Sequence, residues 1–449
     1  MMGSVTMTAA RSVTAAMLAV LGSDDSQASA SSRPAHAQSV TTAQVADCIG
    51  QPGWLIVDVR DSNAFNGWIT GDEQRGGSIP GAVNLALSWF ESNPQAAQRL
   101  IESMGLKQNK VVLYGNSAAE AQRMTRLLQQ HAQIPAERLF VYTDGIAAWS
   151  RDDNLPMDRL PRYERLVPPV WLQQLVQQGD PRDYQVVEVA WRKKQRYESG
   201  HIPGAVYLDT DEIESESLWN VVSPEQLERT LLSLGITKDT LVVVYGRDST
   251  PATRAALVLM YAGVADVRLL NGGYAAWQNA GLATVIGDVA REPARVFAAT
   301  VPVHPEWIID TTQAKQVLAA RDGRLVSIRS WSEYVGQTSG YSYIKPKGRI
   351  RGAVWGHAGT DRDHMQDFRN PDDTLRNFRD IAALWRDWDI EPQHRISFYC
   401  GTGWRASEAF LAAYLMGYEN ISVYDGGWYE WSADENNPVE TGTPSSSHR

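Results

Sequence analysis

The residues with the clearest chemical potential are Cys400, Gly401, Thr402, Gly403, Trp404 and Arg405. They sit between a short β-forming run, Arg395–Tyr399, and a segment in which Ala406, Phe410, Leu411, Tyr414 and Leu415 recur at helical spacing. This pattern predicts strand, tight loop, then helix. A thiol in such a loop lies at a helix N-terminus, ringed by backbone N–H groups that stabilise a thiolate and can cradle an anion. The glycines let the backbone curl so that these amides converge. The predicted chemistry is that of a nucleophilic cysteine that must hold negative charge.

The elements that position this loop occur three times. The first set is Val57–Arg60 (VDVR), Ser78–Leu85 (SIPGAVNL), Val111–Asn116 (VVLYGN) and Asp144–Trp149 (DGIAAW). The second is Val187–Ala190 (VEVA), His201–Leu208 (HIPGAVYL), Val242–Arg247 (VVVYGR) and Gly272–Trp277 (GGYAAW). The third is Val326–Arg329 (VSIR), Arg349–Gly356 (RIRGAVWG), Ser397–Thr402 (SFYCGT) and Gly426–Trp431 (GGWYEW). Short β-rich runs alternating with helical patterns predict an α/β fold: three tandem units, each a parallel sheet with helices on both faces.

Tyr114-Gly115, Tyr245-Gly246 and Tyr399-Cys400 align, so the third unit alone carries a thiol. The stretch from Ser327 to Cys400 is 73 residues, against 57 from Asp58 to Gly115 and 58 from Glu188 to Gly246. Insertions are therefore expected at Thr338–Lys347 and around Asp361–Asp373. Pro- and charge-rich linkers fall at Leu155–Pro169 and Gly287–Pro305. The predicted units span residues 38–155, 165–286 and 304–437, and the tail from Asn437 is expected to fray.

Composition narrows the function classes. The 449 residues carry 42 Lys and Arg against 52 Asp and Glu, a formal charge of −10, without the basic bias of a nucleic-acid binder. Two cysteines, Cys48 and Cys400, do not make a disulfide framework. Cys48 is expected as a small buried hydrophobe. Residues 1–37 read as a signal peptide: Arg11, the apolar run Ser12–Gly22, and small-residue cleavage patterns ending at Ala30 and Ala37. A periplasmic location is expected, with no membrane or nucleic-acid partner.

The loop has the pattern Cys-x4-Arg. Cysteine phosphatases use a cradle one residue longer, and the shorter cup suits a single sulfur better than a tetrahedral phosphate. With the stretches TSGYSYIKPKG (338–348), SFYCGTGWRASE (397–408) and VYDGGWYEWS (423–432), the chain resembles the rhodanese sulfurtransferase family, in particular its three-domain periplasmic thiosulfate-using members. The resemblance covers nearly the whole chain after residue 37. It implies that Cys400 takes sulfur from a small-molecule donor such as thiosulfate, becomes a persulfide, and passes the sulfur to a thiophile in a ping-pong cycle. That thiophile is cyanide in the assay and an unassigned acceptor, such as a protein thiol, in the cell.

No metal or organic cofactor is implied. Gly401, Thr402, Gly403, Trp404 and Arg405 form the expected substrate-binding loop. Arg405 has two readings, meeting the donor's sulfonate or bracing the loop against a carboxylate. Trp404 is expected to face outward, either lining the mouth or packing on another unit. Arg329, Tyr341 and Lys345 are candidate entrance residues; because Arg329 matches Arg60 of the thiol-free first unit, bracing suits it better than catalysis. His357, His364 and His201 do not form a convincing metal or catalytic set. The alternatives are 3-mercaptopyruvate as donor, a phosphatase, and a non-catalytic partner-binding protein.

Overall fold

The computed structural model describes residues 37–444, so the signal-peptide reading lies outside the described residues. The first domain is a five-stranded parallel sheet of β1 (Gln38–Val40), β2 (Trp54–Asp58), β3 (Val83–Asn84), β4 (Lys110–Tyr114) and β5 (Leu139–Tyr142), in the order β1-β5-β4-β2-β3. The second repeats it as β6 (Leu166–Val167), β7 (Tyr184–Ala190), β8 (Val206–Asp209), β9 (Leu241–Tyr245) and β10 (Asp266–Leu270), ordered β6-β10-β9-β7-β8. In the third, β11 (Ile308–Ile309), β12 (Gly323–Ser327), β14 (Val354–Trp355), β15 (Arg395–Tyr399) and β16 (Ile421–Tyr424) take the order β11-β16-β15-β12-β14. Here β13 (Arg349–Ile350) pairs outside the main sheet with β17 (Val439–Glu440). The apolar runs of the central strands β4, β9 and β15 follow from burial on both faces of a parallel sheet.

Register makes the repeat quantitative. Tyr114 sits beside Asp58, Tyr245 beside Glu188, and Tyr399 beside Ser327. Each central strand feeds a loop and then a helix: α1 (Ala118–Ala132), α2 (Ser249–Ala262) and α3 (Trp404–Leu415). The loops therefore lie at the carboxyl ends of the strands, where open α/β sheets bind ligands.

Residues His201, Ser78 and Arg349, equivalent in the alignment, share one structural duty. Each forms an antiparallel bridge with chain from the end of its own unit: Val285, Asp158 and Glu440 respectively. The expected fraying from Asn437 is thus corrected as far as Gly442. Asn437 is buried, β17 pairs with β13, and the Gly442 N–H donates to the Val335 carbonyl at 2.8 Å. The short Val-Glu strand is too brief for a periodic signal, which is why the sequence read as tail.

The second and third domains share one continuous apolar core, in which α2 packs on α3. Leu257 and Val258 from the second domain join Phe410, Leu411 and Ala413 from the third in that core. Full burial of each large side chain there contributes about 1.5–3 kcal/mol. The main cluster of the first domain is separate and has its own apolar residues. The insertion around 361–373 and the chain after it tie the third domain to both others: the Leu375 N–H donates to Asn271 Oδ1 at 2.9 Å, and Arg379 Nη1 donates to the Ala82 carbonyl at 2.8 Å.

Candidate active site

Cys400 follows β15 directly and is 1% exposed. The Gly403 N–H donates to its Sγ at 3.1 Å. Gly403 holds φ +110°, a conformation that favours glycine, and it stands at the N-cap of α3 with no side-chain cap. On the other side of the loop, the Trp428 N–H donates to the Cys400 carbonyl at 2.8 Å and the Tyr429 N–H to the Gly401 carbonyl at 3.1 Å. The glycine pair 426–427 thus clamps the loop from the neighbouring strand end.

The same position in the first two domains shows what this loop has been spared. In the first, Ser117 caps α1, and Glu120 Oε2 accepts the Asn116 N–H at 2.8 Å. A Cβ on Gly115 would lie 2.6 Å from that oxygen. In the second, Asp248 caps α2, and a Cβ on Gly246 would lie 2.2 Å from the Asp248 carbonyl oxygen. Both loops satisfy their amides with their own oxygens and leave no room for a thiol. The third loop is one residue longer before its helix, and its Gly403 N–H faces the sulfur.

Arg405 is buried and paired. Its Nη1 and Nη2 each donate to the Glu333 carboxylate at 2.9 Å, and Nη2 also donates to the Tyr341 hydroxyl at 3.0 Å. The bracing arrangement is therefore the one observed. Its Nε is buried without a hydrogen-bond partner. Glu333 also accepts from the Ser330 N–H at 3.0 Å and hydroxyl at 2.8 Å, in a capping box, and from Arg329 Nε at 3.4 Å. Burial pushes the Glu333 carboxyl up, but Arg405, Arg329 and Ser330 outweigh it and hold it at about 2.

Arg329 donates further to the Gly348 carbonyl at 2.7 Å and the Ser339 carbonyl at 3.2 Å. It pins both ends of the 338–348 insertion. Arg60 reaches the equivalent Gly77 carbonyl at 2.6 Å in the first domain. In the second, Arg247 reaches the Gly200 carbonyl.

That insertion folds over the thiol loop. A Cβ on Gly401 would lie 2.3 Å from the Tyr341 ring, so the hydroxyl end of the phenol packs directly against the loop backbone. Burial raises the Tyr341 phenol, with Arg405 opposing. Tyr343, half-exposed, hydrogen-bonds Thr402 and packs edge-on against Tyr429. Lys345 is not brought to the sulfur: its exposed ammonium donates to the Ser342 carbonyl at 2.8 Å, within its own loop. Its charge draws it into solvent, and Tyr341 takes the inner position instead.

Trp404 turns toward the second domain. Its indole N–H donates to Glu214 Oε2 at 2.8 Å, and its ring meets Trp191 edge-on at 6.5 Å. Burial pushes the Glu214 carboxyl up to about 7, against the pull of Arg254 and the Trp404 N–H. Glu214, Arg254 and Glu333 were missed by sequence reasoning. The capping box Ser330-x-x-Glu333 was the readable signal for the last of these. His364 pairs with Asp361 at 2.6 Å, and His357 stacks on Trp355; no metal-holding group of three or more His, Cys, Asp or Glu occurs among the described residues. Two clefts, of about 710 and 1070 Å³, lie elsewhere and do not include Cys400.

Comparison with known proteins agrees with this geometry. Residues 41–152, 168–280 and 309–434 each match the rhodanese-like domain. The chain is 46% identical over 405 residues to the thiosulfate sulfurtransferase YnjE of Escherichia coli, covering 88% of this chain and 91% of that protein. It is 28% identical over 287 residues to a mouse thiosulfate sulfurtransferase, covering 60% and 92%. Among solved structures, wild-type EanB superposes with a TM-score of 0.87 at 38% identity over 92% of this chain and 99% of its own. An EanB variant holding a cysteine persulfide with ergothioneine in a tetrahedral intermediate state superposes at 0.86, with 39% identity over 91% and 100%. With three matched domains and a full-length relative at this identity, the chain belongs to the rhodanese family.

Proposed function

We propose that this protein is a thiosulfate sulfurtransferase that works through a persulfide on Cys400. One observation carries the reading: of three equivalent loops, the third is the one with no side-chain oxygen capping its helix, and it holds a thiol against the Gly403 N–H. The Cys400 thiolate attacks the outer sulfur of thiosulfate. A new S–S bond forms, the bond to the sulfonate sulfur breaks, and sulfite leaves with that electron pair. Amides at the start of α3 stabilise the anionic sulfur as an oxyanion hole stabilises oxygen. The Tyr341 hydroxyl accepts from Arg405, which leaves its own proton to donate into the site. An acceptor nucleophile then attacks the outer sulfur of the persulfide and returns the thiolate.

The relatives named for thiosulfate support the donor, and the persulfide-bearing EanB structure supports the intermediate. EanB complexes with hercynine make that compound an acceptor to test beside cyanide. The apolar run 12–22 supports a periplasmic location, tested by sequencing the N-terminus of the exported protein. The deciding experiment is intact mass before and after thiosulfate. The expected result is a gain of one sulfur, removed by cyanide and absent in Cys400→Ser. A gain from 3-mercaptopyruvate alone would change the donor, and sulfur uptake by the serine variant would refute the mechanism.

A further inference from the structure

The second domain has no thiol, yet it places a fully buried cation under the catalytic loop. Arg254, on α2, donates through Nε to Glu214 Oε1 at 2.8 Å and through Nη2 to Asp425 Oδ1 at 2.5 Å. Its side chain is 0% exposed, and its Nη1 is buried without a hydrogen-bond partner. A Cβ added to Gly403 would lie 3.1 Å from that Nη1 and 3.2 Å from the guanidinium carbon. The flat face of Arg254 therefore rests against the glycine whose N–H points at Cys400 Sγ.

Its two acidic partners bind the loop's flanks. Glu214 holds the Trp404 indole from the second domain, one residue beyond Gly403. Asp425 immediately precedes the glycine pair that clamps the loop, and its Oδ2 accepts the Val221 N–H at 2.7 Å. An isolated buried charge is costly unless it is paired and hydrogen-bonded, so this arginine persists because both acids converge on it.

We propose that Arg254 of the second domain is a positioning residue for Cys400. Held between Glu214 and Asp425, it fixes the back of Gly403 so that the amide cradle points at the sulfur. The second domain is then half of the catalytic loop's support, which accounts for the retention of a unit with no nucleophile of its own. This rests on Cys400 being the nucleophile.

The test compares full-length wild type with Arg254→Met and Arg254→Lys in single-turnover persulfide formation from thiosulfate, followed by mass. In Arg254→Met, the rate at saturating thiosulfate should fall on the order of tenfold, the worth of one misaligned charge-assisted hydrogen bond. The half-saturating concentration should stay within about twofold, since Arg254 is placed behind the loop. Arg254→Lys, which keeps the charge without the fork, should lie between the two. A saturated rate in Arg254→Met within about twofold of wild type overturns the proposal, whatever the variant's melting temperature.

Should Arg254→Met fail to fold, Trp404→Phe keeps an aromatic side chain and removes the bond to Glu214 together with the second ring of the indole. It should slow the same step about threefold, and an unchanged rate overturns the proposal. If wild type takes no sulfur from thiosulfate, the functional reading fails by itself. The same comparison is then made with the rate of Cys400 alkylation by iodoacetamide, which needs only the thiol; a rate in Arg254→Met equal to wild type overturns the proposal there as well.

Discussion

Replacing Glu333 by glutamine should loosen the active-site cover without altering its shape. The carboxylate accepts both terminal nitrogens of Arg405, the Ser330 N–H and hydroxyl, and Arg329 Nε, all in a buried site. Its folded value of about 2 lies below the ordinary 4.5 of glutamate. That difference corresponds to about 3 kcal/mol of native-state stabilisation. Because the folded value is depressed, the stabilisation is fully present above pH 4.5 and is lost as pH falls through about 2. An independent route gives the same size: removing one partner of a buried ion pair costs about 3–5 kcal/mol, because the other charge stays behind.

In Glu333→Gln two guanidinium groups, Arg329 and Arg405, would face each other across an uncharged amide. Hydrogen exchange followed by mass spectrometry reads the local opening of residues 329–348. At pH 7 the variant should exchange on the order of 100-fold faster over that segment, with the first domain unchanged. In wild type, protection should weaken as pH is taken from about 5 toward 2. An acceleration below about fivefold would mean that the carboxylate is not the pin holding this cover, and the reasoning would fail.

Further outcomes follow from the same loops. Gly115→Cys and Gly246→Cys should gain no sulfur from thiosulfate and should lower stability by about 1–3 kcal/mol, since each new side chain meets Glu120 or the Asp248 carbonyl; sulfur on either would refute the account of why these domains are inert. Gly401→Ala should slow persulfide formation about tenfold by displacing the Tyr341 ring. Combining it with Tyr341→Ala should make the two effects non-additive, and simple additivity would show that the ring is not the obstacle.

The parts of the site that follow local rules were legible in the sequence. The run Arg395–Tyr399 gave its strand, the glycines gave the loop, and the threefold grammar gave three parallel sheets. Contacts between distant segments were not legible. Nothing local to Arg405 says that its partner is Glu333 rather than a donor's sulfonate, because both are anions that a guanidinium fork fits equally well. The Arg254 clamp was hidden for a different reason. Its helix, Ser249–Ala262, is apolar almost all round, which marks a helix buried between two layers instead of one lying on a surface. A single arginine within such a helix must find acids, but one sequence cannot say that they sit 40 residues before it and 171 after it.

The three domains also show where charge has been moved. In the first two, the strand beside the central one ends in an acid, Asp58 or Glu188, that accepts the hydroxyl of Tyr114 or Tyr245 at 2.8 and 2.7 Å. The nearby arginine, Arg60 or Arg247, pairs with that same acid. In the third domain the acid is replaced by Ser327, and Arg329 pairs with Glu333 at the start of the next helix. A carboxylate beside Tyr399 would stand one residue from the sulfur and oppose every anionic state the sulfur must pass through. At Glu333 the same charge is neutralised twice, by Arg329 and Arg405, and turned to holding the cover. In this chain, then, the domain that carries the thiol is also the one whose strand end lacks the carboxylate found in the other two.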